Sequence, residues 1–198
     1  MGGAVRHVAA FDFDGTITSR DTLGPFLARV VGRARVVRAL ALRSPVLAAS
    51  LVGLADRDAE KERLVGRLLA GRDAAALCAE GVAYANELGA AQAFRPDTLE
   101  RVAWHRAEGH DIVVVSASLD VYLEPLGPEL GVNHVICTSL EVVDGRVTGH
   151  LVGGNVRGPE KARRLRAWLG DGPVELWAYG DSAGDHDLLA MADHAVRV

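Results

Sequence analysis

The chain opens with a short apolar run and continues into a long segment with a helical pattern. Residues 5–13 (VRHVAAFDF) are mostly apolar and end beside acidic residues, a pattern that predicts a buried strand leading into a loop. From Asp21 to Leu88, alanine, leucine and arginine dominate, and apolar residues recur at helical spacing between Pro45 and several glycines. This segment predicts three to five helices and no strand.

Strands and helices alternate in the second half of the chain. We predict helices at 96–108, 119–126, 159–169 and 184–191, and strands at 112–115, 135–138, 174–179 and 195–198. A hairpin over 141–151 is predicted to turn at Asp144-Gly145. The alternation predicts an α/β fold with a parallel sheet that helices cover on both faces.

The helical segment interrupts this alternation directly after the first strand. Open α/β sheets bind their ligands beyond the carboxyl ends of the strands, so an insertion at this point would lie over such a site. We therefore predict a core domain of residues 1–17 and 94–198 and a helical cap domain of residues 18–93.

Composition and charge narrow the function classes. Of the 198 residues, 49% are hydrophobic and 24% are charged, which is typical of a globular protein. The net charge of −4 gives no reason to expect nucleic acid as a partner. Two cysteines, Cys78 and Cys137, are too few for a disulfide framework or a cysteine metal cluster, so we expect both to be buried and reduced.

Targeting signals are not apparent in the sequence. The first residues lack the apolar run of a signal peptide, and no uninterrupted apolar run reaches the length of a membrane span. A cytoplasmic protein is therefore expected.

Two carboxylates follow the first predicted strand. Asp12 and Asp14, in FDFDGT, are two residues apart, and burying both is costly unless a cation or a proton offsets their charge. Mg²⁺ commonly takes one or two carboxylates together with phosphate oxygens. A carboxylate can also attack phosphorus, after which a second acid protonates the leaving oxygen and activates water. The alternative is a loop with two solvated acids.

A serine and a lysine stand at two other element ends. Ser116, in VVVSAS, follows a predicted strand, where a hydroxyl and the next backbone amides can bind phosphate. For Ser118 a helix cap is the favoured interpretation, and for Ser116 both interpretations stay open. Lys161 lies in the first turn of a predicted helix, where the helix dipole disfavours a cation unless anions are near. The alternative is an ordinary surface lysine beside Glu160.

A second pair of acids occurs in GDSAGD, after the strand predicted at 174–179. Asp181 is suited to bind a cation directly, and Asp185 is suited to orient a metal-bound water or to hold the loop. The alternative is a pair of helix-start acids that satisfy the helix dipole. No second histidine stands at ligand spacing from His186, so a zinc site is not expected.

The ordered set of segments resembles the haloacid dehalogenase superfamily of phosphatases, in particular the branch that includes phosphoserine phosphatases. The strings FDFDGT, VVVSAS, GPEK and GDSAGD carry the resemblance, which covers nearly the whole chain, and the hairpin VVDGRVTG is also similar. The resemblance implies a three-layer Rossmann-like core with a helical cap. It also implies Mg²⁺-dependent hydrolysis of a small phosphomonoester through an aspartyl-phosphate.

The same resemblance implies roles for individual residues. Asp12 would be the nucleophile and Asp14 the general acid and base. The other implied roles are phosphate binding by Ser116, Ala117 and Lys161, Mg²⁺ binding by Asp12, Asp181 and the Asp14 carbonyl, and support of the metal shell by Asp185. Phosphoryl transfer depends mainly on positioning and charge neutralisation, which such a set supplies.

Four positions depart from the phosphoserine phosphatase pattern. Asp21 stands where that pattern has a glutamate for the substrate's amino group, and it is the candidate for substrate specificity. Gly184 replaces an asparagine, and Ala117-Ser118 replace a glycine pair. A sub-branch with diverse substrates is more similar, and some relatives act on phosphatidylglycerophosphate. Phosphoserine and a lipid phosphate are therefore alternative substrates to an unspecified small phosphomonoester.

An arginine-rich stretch raises the question of membrane contact. Residues 33–43 alternate arginine with apolar residues, and an apolar run from 46 to 54 follows. One hypothesis is an interfacial amphipathic segment that brings the cap to an anionic membrane. We favour instead a pair of cap helices that pack a small core and expose their arginines. The sequence gives no indication of oligomeric state.

Other functions share parts of this pattern. A phospho-receiver domain also combines acids, a hydroxyl and a lysine, but it keeps its phosphate acceptor on a middle strand, and here the strand at 112–115 ends in Ser116. An inactive binding module is disfavoured by the intact set of acids and lysine. A phosphotransferase is a further alternative, as is a phosphonatase, which would need a cap lysine to form an imine; Lys61 is the sole candidate.

Overall fold

A five-stranded sheet forms the centre of the protein. The computed structural model describes residues 4–42, 57–91 and 93–198. Its strands are β1 (Arg6–Phe11), β2 (Asp111–Leu119), β3 (His134–Thr138), β6 (Val174–Gly180) and β7 (His194–Arg197). Neighbouring strands pair in parallel throughout this sheet, in the order β3-β2-β1-β6-β7. The predicted parallel α/β sheet is confirmed.

The helices fall into two groups along the chain. Those that follow the insertion are α5 (Pro96–Ala107), α6 (Asp120–Leu130), α7 (Pro159–Leu169) and α8 (His186–Ala190), the last preceded by a 3-10 turn at Ala183–Asp185. The described part of residues 18–93, which we call the insertion, contains α1 (Leu23–Val31), α2 (Arg33–Ala41), α3 (Arg57–Leu69) and α4 (Ala74–Ala90). These four helices agree with the predicted range of three to five.

Apolar residues of β1 are buried on both faces of the sheet. Ala9 and Phe11 belong to a cluster that also takes residues of α5, α6 and the insertion, whereas Val8 and Ala10 belong to a cluster with α7 and α8. Successive side chains of a strand point to opposite faces, so a strand covered on both sides needs an unbroken apolar run. The apolar pattern at the start of the chain thus reflects a sheet between two helical layers.

The insertion leaves and rejoins the core at one place. Thr18 and Phe94 form an antiparallel bridge, and Arg95 N donates to Ile17 O at 2.7 Å. The two ends of the insertion are therefore neighbours. This adjacency is what the proposed division into core and cap at residues 17–18 and 93–94 requires.

A β-hairpin connects the core to the insertion. Strands β4 (Leu140–Val143) and β5 (Arg146–Leu151) are antiparallel, and both turn residues, Asp144 and Gly145, have positive φ, 50° and 74°. Such a turn is typical of an Asp-Gly pair, and the predicted hairpin is confirmed. Val147 exchanges backbone hydrogen bonds with the chain after α3, receiving from Gly71 N at 2.8 Å and donating to Arg72 O at 3.0 Å.

Two predicted element boundaries were wrong. Strand β2 continues past residue 115 to Leu119, with an irregular register against β3 between Val115 and Leu119. Helix α6 consequently begins at Asp120, and it continues through Pro125 and Pro128 to Leu130. The serines at 116–118 therefore belong to a strand that passes beside the site.

Cys78 is exposed, contrary to the prediction, whereas Cys137 is buried as predicted. Helix α4 buries the face that carries Leu77, Gly81 and Tyr84, and Cys78 is one residue, or about 100°, away from Leu77 on the helix. Its neighbour therefore takes the buried position.

The arginine-rich stretch is only partly described. Helix α2 buries Val36 and Ala39 and exposes Val37, while residues 43–56, which include the predicted apolar run, lie outside the described residues. Among the helices that the structure describes, none combines the length and the apolar character needed to cross a membrane.

Candidate active site

Three neighbouring strands bring most of the candidate residues to one edge of the sheet. Asp12 follows β1, Ser116 lies near the end of β2, and Asp181 follows β6. Because β2, β1 and β6 are adjacent and parallel, their carboxyl ends lie side by side. A backbone hydrogen bond of 2.9 Å from Gly158 N to Gly184 O brings the start of α7, and with it Lys161, to the same edge.

Lys161 joins two carboxylates at the centre of the site. Its Nζ donates to Asp12 Oδ1 and, at 2.5 Å, to Asp185 Oδ1. All three side chains are buried, with Lys161 only 3% exposed. The interpretation of Lys161 as a surface lysine is therefore wrong. The two carboxylates offset the unfavourable interaction of its charge with the helix dipole, as we predicted for anions near this position.

Burial and charge shift the pKa values of this triad in different directions. Burial raises the pKa of Asp12 to about 7, even though Lys161 lowers it. Burial also opposes the charged form of Asp185, but Lys161 and Ser182 outweigh it, and the pKa of that carboxyl lies below its usual value. Burial lowers the pKa of Lys161, and the two carboxylates more than reverse this effect. Additional positive charge would thus favour the ionised form of Asp12.

Asp185 also fixes the loop that carries Asp181. Its Oδ2 accepts from Ser182 N at 3.0 Å and from Ser182 Oγ at 2.7 Å, while Gly184 N donates back to Ser182 Oγ at 3.1 Å. This reciprocal arrangement is a capping box at the start of the 3-10 turn. Asp185 therefore holds the loop and contacts Lys161 at the same time.

An acidic cluster near Lys161 fits a divalent cation. Carboxylate oxygens of Asp12, Asp181 and Asp185 all lie within 4.8 Å of one another. Asp181 Oδ1 is buried and has no hydrogen-bond partner among the described residues, an arrangement that costs free energy unless a cation or water satisfies it. Oxygen ligands of this kind are those that Mg²⁺ prefers. The Asp14 carboxylate is not part of this cluster.

Gly15 allows the two acidic loops to approach each other. It has a φ of +83°, and a Cβ built at this position would lie 2.3 Å from Asp181 Oδ2. A side chain would therefore both strain the backbone and displace the carboxylate. The glycine after the first acidic pair is thus needed for the close approach of the loop after β1 to Asp181.

Asp14 faces away from the cluster and towards hydroxyl groups. Its Oδ1 accepts from Thr22 N at 2.8 Å and Thr22 Oγ1 at 2.7 Å, and its Oδ2 accepts from Ser118 Oγ at 2.5 Å. Burial raises the pKa of Asp14 although the hydrogen bonds from Ser118 and Thr22 lower it. A buried carboxyl with a raised pKa is suited to carrying a proton.

Ser116 and Ala117 occupy the irregular part of β2. Ser116 is buried, and its Oγ accepts from Ser118 N at 3.0 Å, which leaves the hydroxyl hydrogen for another acceptor. The interpretation of Ser118 as a helix cap is wrong: Leu119 precedes α6, and the Ser118 hydroxyl contacts Asp14. Its role arises because β2 runs on beyond the predicted end.

A cavity of about 280 Å³ contains most of these groups. It lies between the core and the insertion, so both contribute to its wall. Asp21 lies at this wall as an exposed side chain whose Oδ2 accepts from Gly24 N at 3.0 Å. The cavity is lined by the core residues Asp12, Asp14, Ser116, Ala117, Ser118, Asn155, Arg157, Lys161, Ser182, Gly184 and Asp185 and by the insertion residues Asp21, Leu23, Asp58 and Lys61.

Several residues in and beside the cavity were not found by sequence reasoning. Thr22 and Ser118 bind Asp14, and Asn155 contacts both Lys61 and Asp58. Lys61 entered the sequence argument only as a candidate for imine formation. A hydroxyl or amide carries little signal by itself, although the scarcity of lysine, only Lys61 and Lys161, could have marked Lys61.

The sequence matches a known protein family over most of its length. Residues 9–190 match the model of the haloacid dehalogenase-like hydrolases. The chain therefore belongs to this family, as its motifs predicted.

Two curated relatives and one solved structure match nearly all of the chain. Protein CicA of Caulobacter vibrioides is 36% identical over 197 residues, which make up 98% of this chain and 87% of that protein. Phosphoserine phosphatase SerB2 of Mycobacterium tuberculosis is 31% identical over 190 residues, 94% of this chain but 42% of that protein. A Bordetella pertussis protein of unknown function has a similar structure, with a TM-score of 0.79 at 26% identity over 94% of this chain and 87% of that one. The family match and the similarity to phosphoserine phosphatase SerB2 confirm the predicted enzyme class, a phosphatase of the haloacid dehalogenase type.

Proposed function

We propose that the protein hydrolyses a small phosphomonoester in the presence of Mg²⁺ through an aspartyl-phosphate on Asp12. The observation that supports this most directly is the buried contact of Asp12 with Lys161, next to the unpartnered Asp181 oxygen. A phosphate dianion needs such positive charge, and the carboxylates need a cation to coexist with it. Membership of the haloacid dehalogenase-like hydrolases argues against the alternative of a phospho-receiver domain.

In the first half of the reaction, an Asp12 carboxylate oxygen attacks phosphorus and the bond to the leaving oxygen breaks. Lys161, the Ser116 hydroxyl and the Ala117 amide hold the equatorial phosphate oxygens. Asp14, protonated at the outset, gives its proton to the leaving oxygen, so that the alcohol departs neutral. The raised pKa of Asp14 supports this role.

In the second half, water cleaves the aspartyl-phosphate. Asp14, now ionised, accepts a proton from the water as it attacks phosphorus, and Asp12 leaves as a carboxylate. Thr22 and Ser118 orient Asp14 in both halves through hydrogen bonds to its two oxygens. The same carboxyl thus acts as acid and then as base.

Asp12, Asp181 and the Asp14 carbonyl are the proposed ligands of Mg²⁺, and Asp185, beside them, supports the site. The ion would neutralise charge on the phosphoryl group and orient it towards Asp12. Asp181 Oδ1 is buried and has no hydrogen-bond partner among the described residues, and a bound ion would supply one, which supports this assignment.

The insertion is proposed to act as a cap that sets the substrate. It contributes Asp21, Asp58 and Lys61 to the wall of the cavity that also contains the proposed phosphate-binding residues. The name of the relative SerB2 points to phosphoserine, but the departures at Asp21 and Gly184 favour a broader class of small phosphomonoesters. A lipid phosphate is the further alternative.

The test is release of phosphate from a chromogenic phosphomonoester with and without Mg²⁺. We expect turnover with Mg²⁺, loss in excess chelator, recovery on adding Mg²⁺, and a loss of about 10³-fold or more in Asp12→Asn. Asp171→Asn is the matched control, because Asp171 is exposed and precedes the opposite end of β6. Wild-type turnover in chelator, or full activity of Asp12→Asn, would contradict the mechanism.

A panel of phosphorylated metabolites then defines the substrate. It should include phosphoserine, phosphate esters of neutral alcohols and phosphatidylglycerophosphate in mixed micelles. Preference for the lipid substrate over all soluble esters would replace the small-substrate proposal. No hydrolysis of any ester would favour an inactive binding module.

A further inference from the structure

One amide group of the core holds two residues of the insertion. Asn155, in the loop between β5 and α7, is 8% exposed. Its Oδ1 accepts from Lys61 Nζ at 2.8 Å, and its Nδ2 donates to Asp58 Oδ1 at 2.7 Å. Both partners lie in the first turns of α3, so Asn155 fastens this end of the helix to the core.

The orientation of the Asn155 amide is determined by its surroundings. Thr138 Oγ1 accepts from Val156 N at 3.0 Å and therefore directs its own hydrogen to Asn155 Oδ1, also at 3.0 Å. An ammonium group can only donate and a carboxylate can only accept, so Lys61 and Asp58 require the same orientation. Three independent partners thus agree on which end of the amide faces which residue.

This arrangement aims Lys61 at the phosphate-binding segment. Lys61 Nζ also donates to the Ala117 carbonyl oxygen, one residue from Ser116, and the side chain lines the cavity. Ala117 and Asn155 take two of the three donors of the ammonium group, which leaves one for a ligand in the cavity. Lys61 is thereby held near the carboxyl end of β2, beside the segment that would bind phosphate.

The charges around Lys61 are mixed. Burial lowers the pKa of Lys61 to about 8, opposed by Asp14, Asp21 and Asp58, while Lys161 lowers it further. Burying an ammonium group is costly, and a bound phosphate dianion would compensate for that cost.

We propose that Asn155 is a positioning residue that directs Lys61 onto the phosphate group of the substrate. Lys61 then serves as a second phosphate-binding cation, in addition to Lys161. This inference rests on the proposed function, because it concerns the same phosphomonoester in the same cavity. It assigns the loop before α7 a task in recognition that its sequence, GGNVRG, does not indicate.

The first experiment separates binding from chemistry in Asn155→Ala, Lys61→Met and the double variant. Each single variant should raise the KM of the chromogenic ester and the inhibition constant of inorganic phosphate about tenfold, the effect of one charge-assisted hydrogen bond, with a much smaller change in kcat. The double variant should be no worse than Lys61→Met alone, because Asn155 acts through Lys61.

Asn133→Ala is the matched control. Asn133 Oδ1 accepts from Ile112 N at 2.7 Å at the amino end of β2, far along the strand from Ser116. Its loss should lower Tm without changing phosphate inhibition. Unchanged inhibition in Lys61→Met, or additive effects in the double variant, would overturn the proposal.

The second experiment exchanges donor and acceptor. Asn155→Asp places a carboxylate opposite Asp58 and should raise the phosphate inhibition constant. Combining it with Asp58→Asn restores the hydrogen bond with its direction reversed and should recover phosphate inhibition to within about threefold of wild type. Failure of the pair to improve on Asn155→Asp contradicts the proposed role.

Calorimetric titration with inorganic phosphate and Mg²⁺ distinguishes this proposal from the proposed function. A wild-type protein that binds phosphate but hydrolyses no ester would contradict the phosphatase mechanism while leaving the Lys61 comparison measurable. A wild-type protein that binds no phosphate would contradict both.

Discussion

The two sides of the cavity differ in how their residues are arranged along the chain. The core side draws on short strings at strand ends and at the start of α7, whereas the insertion side contributes residues from separate places, such as Asp21 before α1 and Lys61 on α3. Parallel strands force their carboxyl ends together, so residues there meet whatever the rest of the chain does. The apolar pattern of the insertion helices reflects mainly their own packing, so the sequence does not indicate which of their residues face the cavity.

The two sides also differ in burial. Asp12, Lys161 and Asp185 are each at most 5% exposed, while Asp21 is exposed and Lys61 is half-buried. Electrostatic interactions are strongest where water is excluded. Substitutions on the core side should therefore affect catalysis most, and substitutions on the insertion side should affect binding and substrate choice.

The largest effect is expected from Lys161→Met. It removes the cation that contacts both Asp12 and Asp185, so kcat/KM should fall about 10³-fold, as when a preorganised charge-stabilising group is lost. Initial rates with the chromogenic ester measure this. Arg166→Met, an exposed position on the same helix, is the control, and a loss below about tenfold would place the chemistry elsewhere.

Asp181→Asn should change the metal requirement more than the maximal rate. Removing one charged ligand should raise the Mg²⁺ concentration for half-maximal activity about 10- to 100-fold. Rates measured across a Mg²⁺ series, with Asp171→Asn as control, provide the test. An unchanged Mg²⁺ dependence would remove Asp181 from the metal site.

Asp21→Asn sharpens the contrast between the two sides. We expect less than about a twofold change for the chromogenic ester but about a tenfold higher KM for phosphoserine, if Asp21 meets an ammonium group. The measurement is a pair of KM values for each variant. Equal changes for both substrates would show that Asp21 does not select for the amino group.

The smallest effect concerns the stability of the core rather than activity. Burial, together with His110 and Arg101, holds the pKa of His105 at about 4, below its usual value of 6.5. Between pH 4 and 6.5, His105 carries a proton in the unfolded chain but not in the folded chain. The contribution of neutral His105 to stability is therefore fully present above pH 6.5 and is lost as the pH falls through 4. The free energy of unfolding should therefore drop by on the order of 1 to 3 kcal/mol between pH 7 and 4 from this group.

Urea denaturation at several pH values, for wild type and His105→Gln, measures that contribution. The variant should show a shallower pH dependence, whereas the exposed substitution His186→Gln should not alter it. An identical pH dependence in His105→Gln would contradict the assignment. His105 is fully buried, and its Nε2 is 2.9 Å from the hydroxyl oxygen of Tyr179 on β6.

The same difference explains what could be predicted from the sequence. The sheet, the hairpin and the position of α7 follow from apolar periodicity and turn residues, and the core-side acids follow from short strings. Ser118 was misjudged because a serine before a helix also fits a cap, and only the continuation of β2 shows where its hydroxyl points.

No sequence pattern indicated the roles of Asn155 and Asp58. Their roles depend on a contact between residues 97 positions apart, which neither periodicity nor composition encodes. Cys78 shows the same limit in another form, because one step of about 100° around a helix separates a buried position from an exposed one. Local patterns specify elements, whereas the facing of individual side chains depends on tertiary contacts.

Covalent trapping on Asp12 tests the proposed chemistry most directly. Wild-type protein is mixed with a ³²P-labelled phosphomonoester and Mg²⁺, quenched in acid during turnover, and digested for peptide mapping. We expect a hydroxylamine-sensitive phosphoryl label on the peptide that contains Asp12, and no label in Asp12→Asn. A label on a different residue, or rapid turnover by Asp12→Asn, would contradict an aspartyl-phosphate at this position.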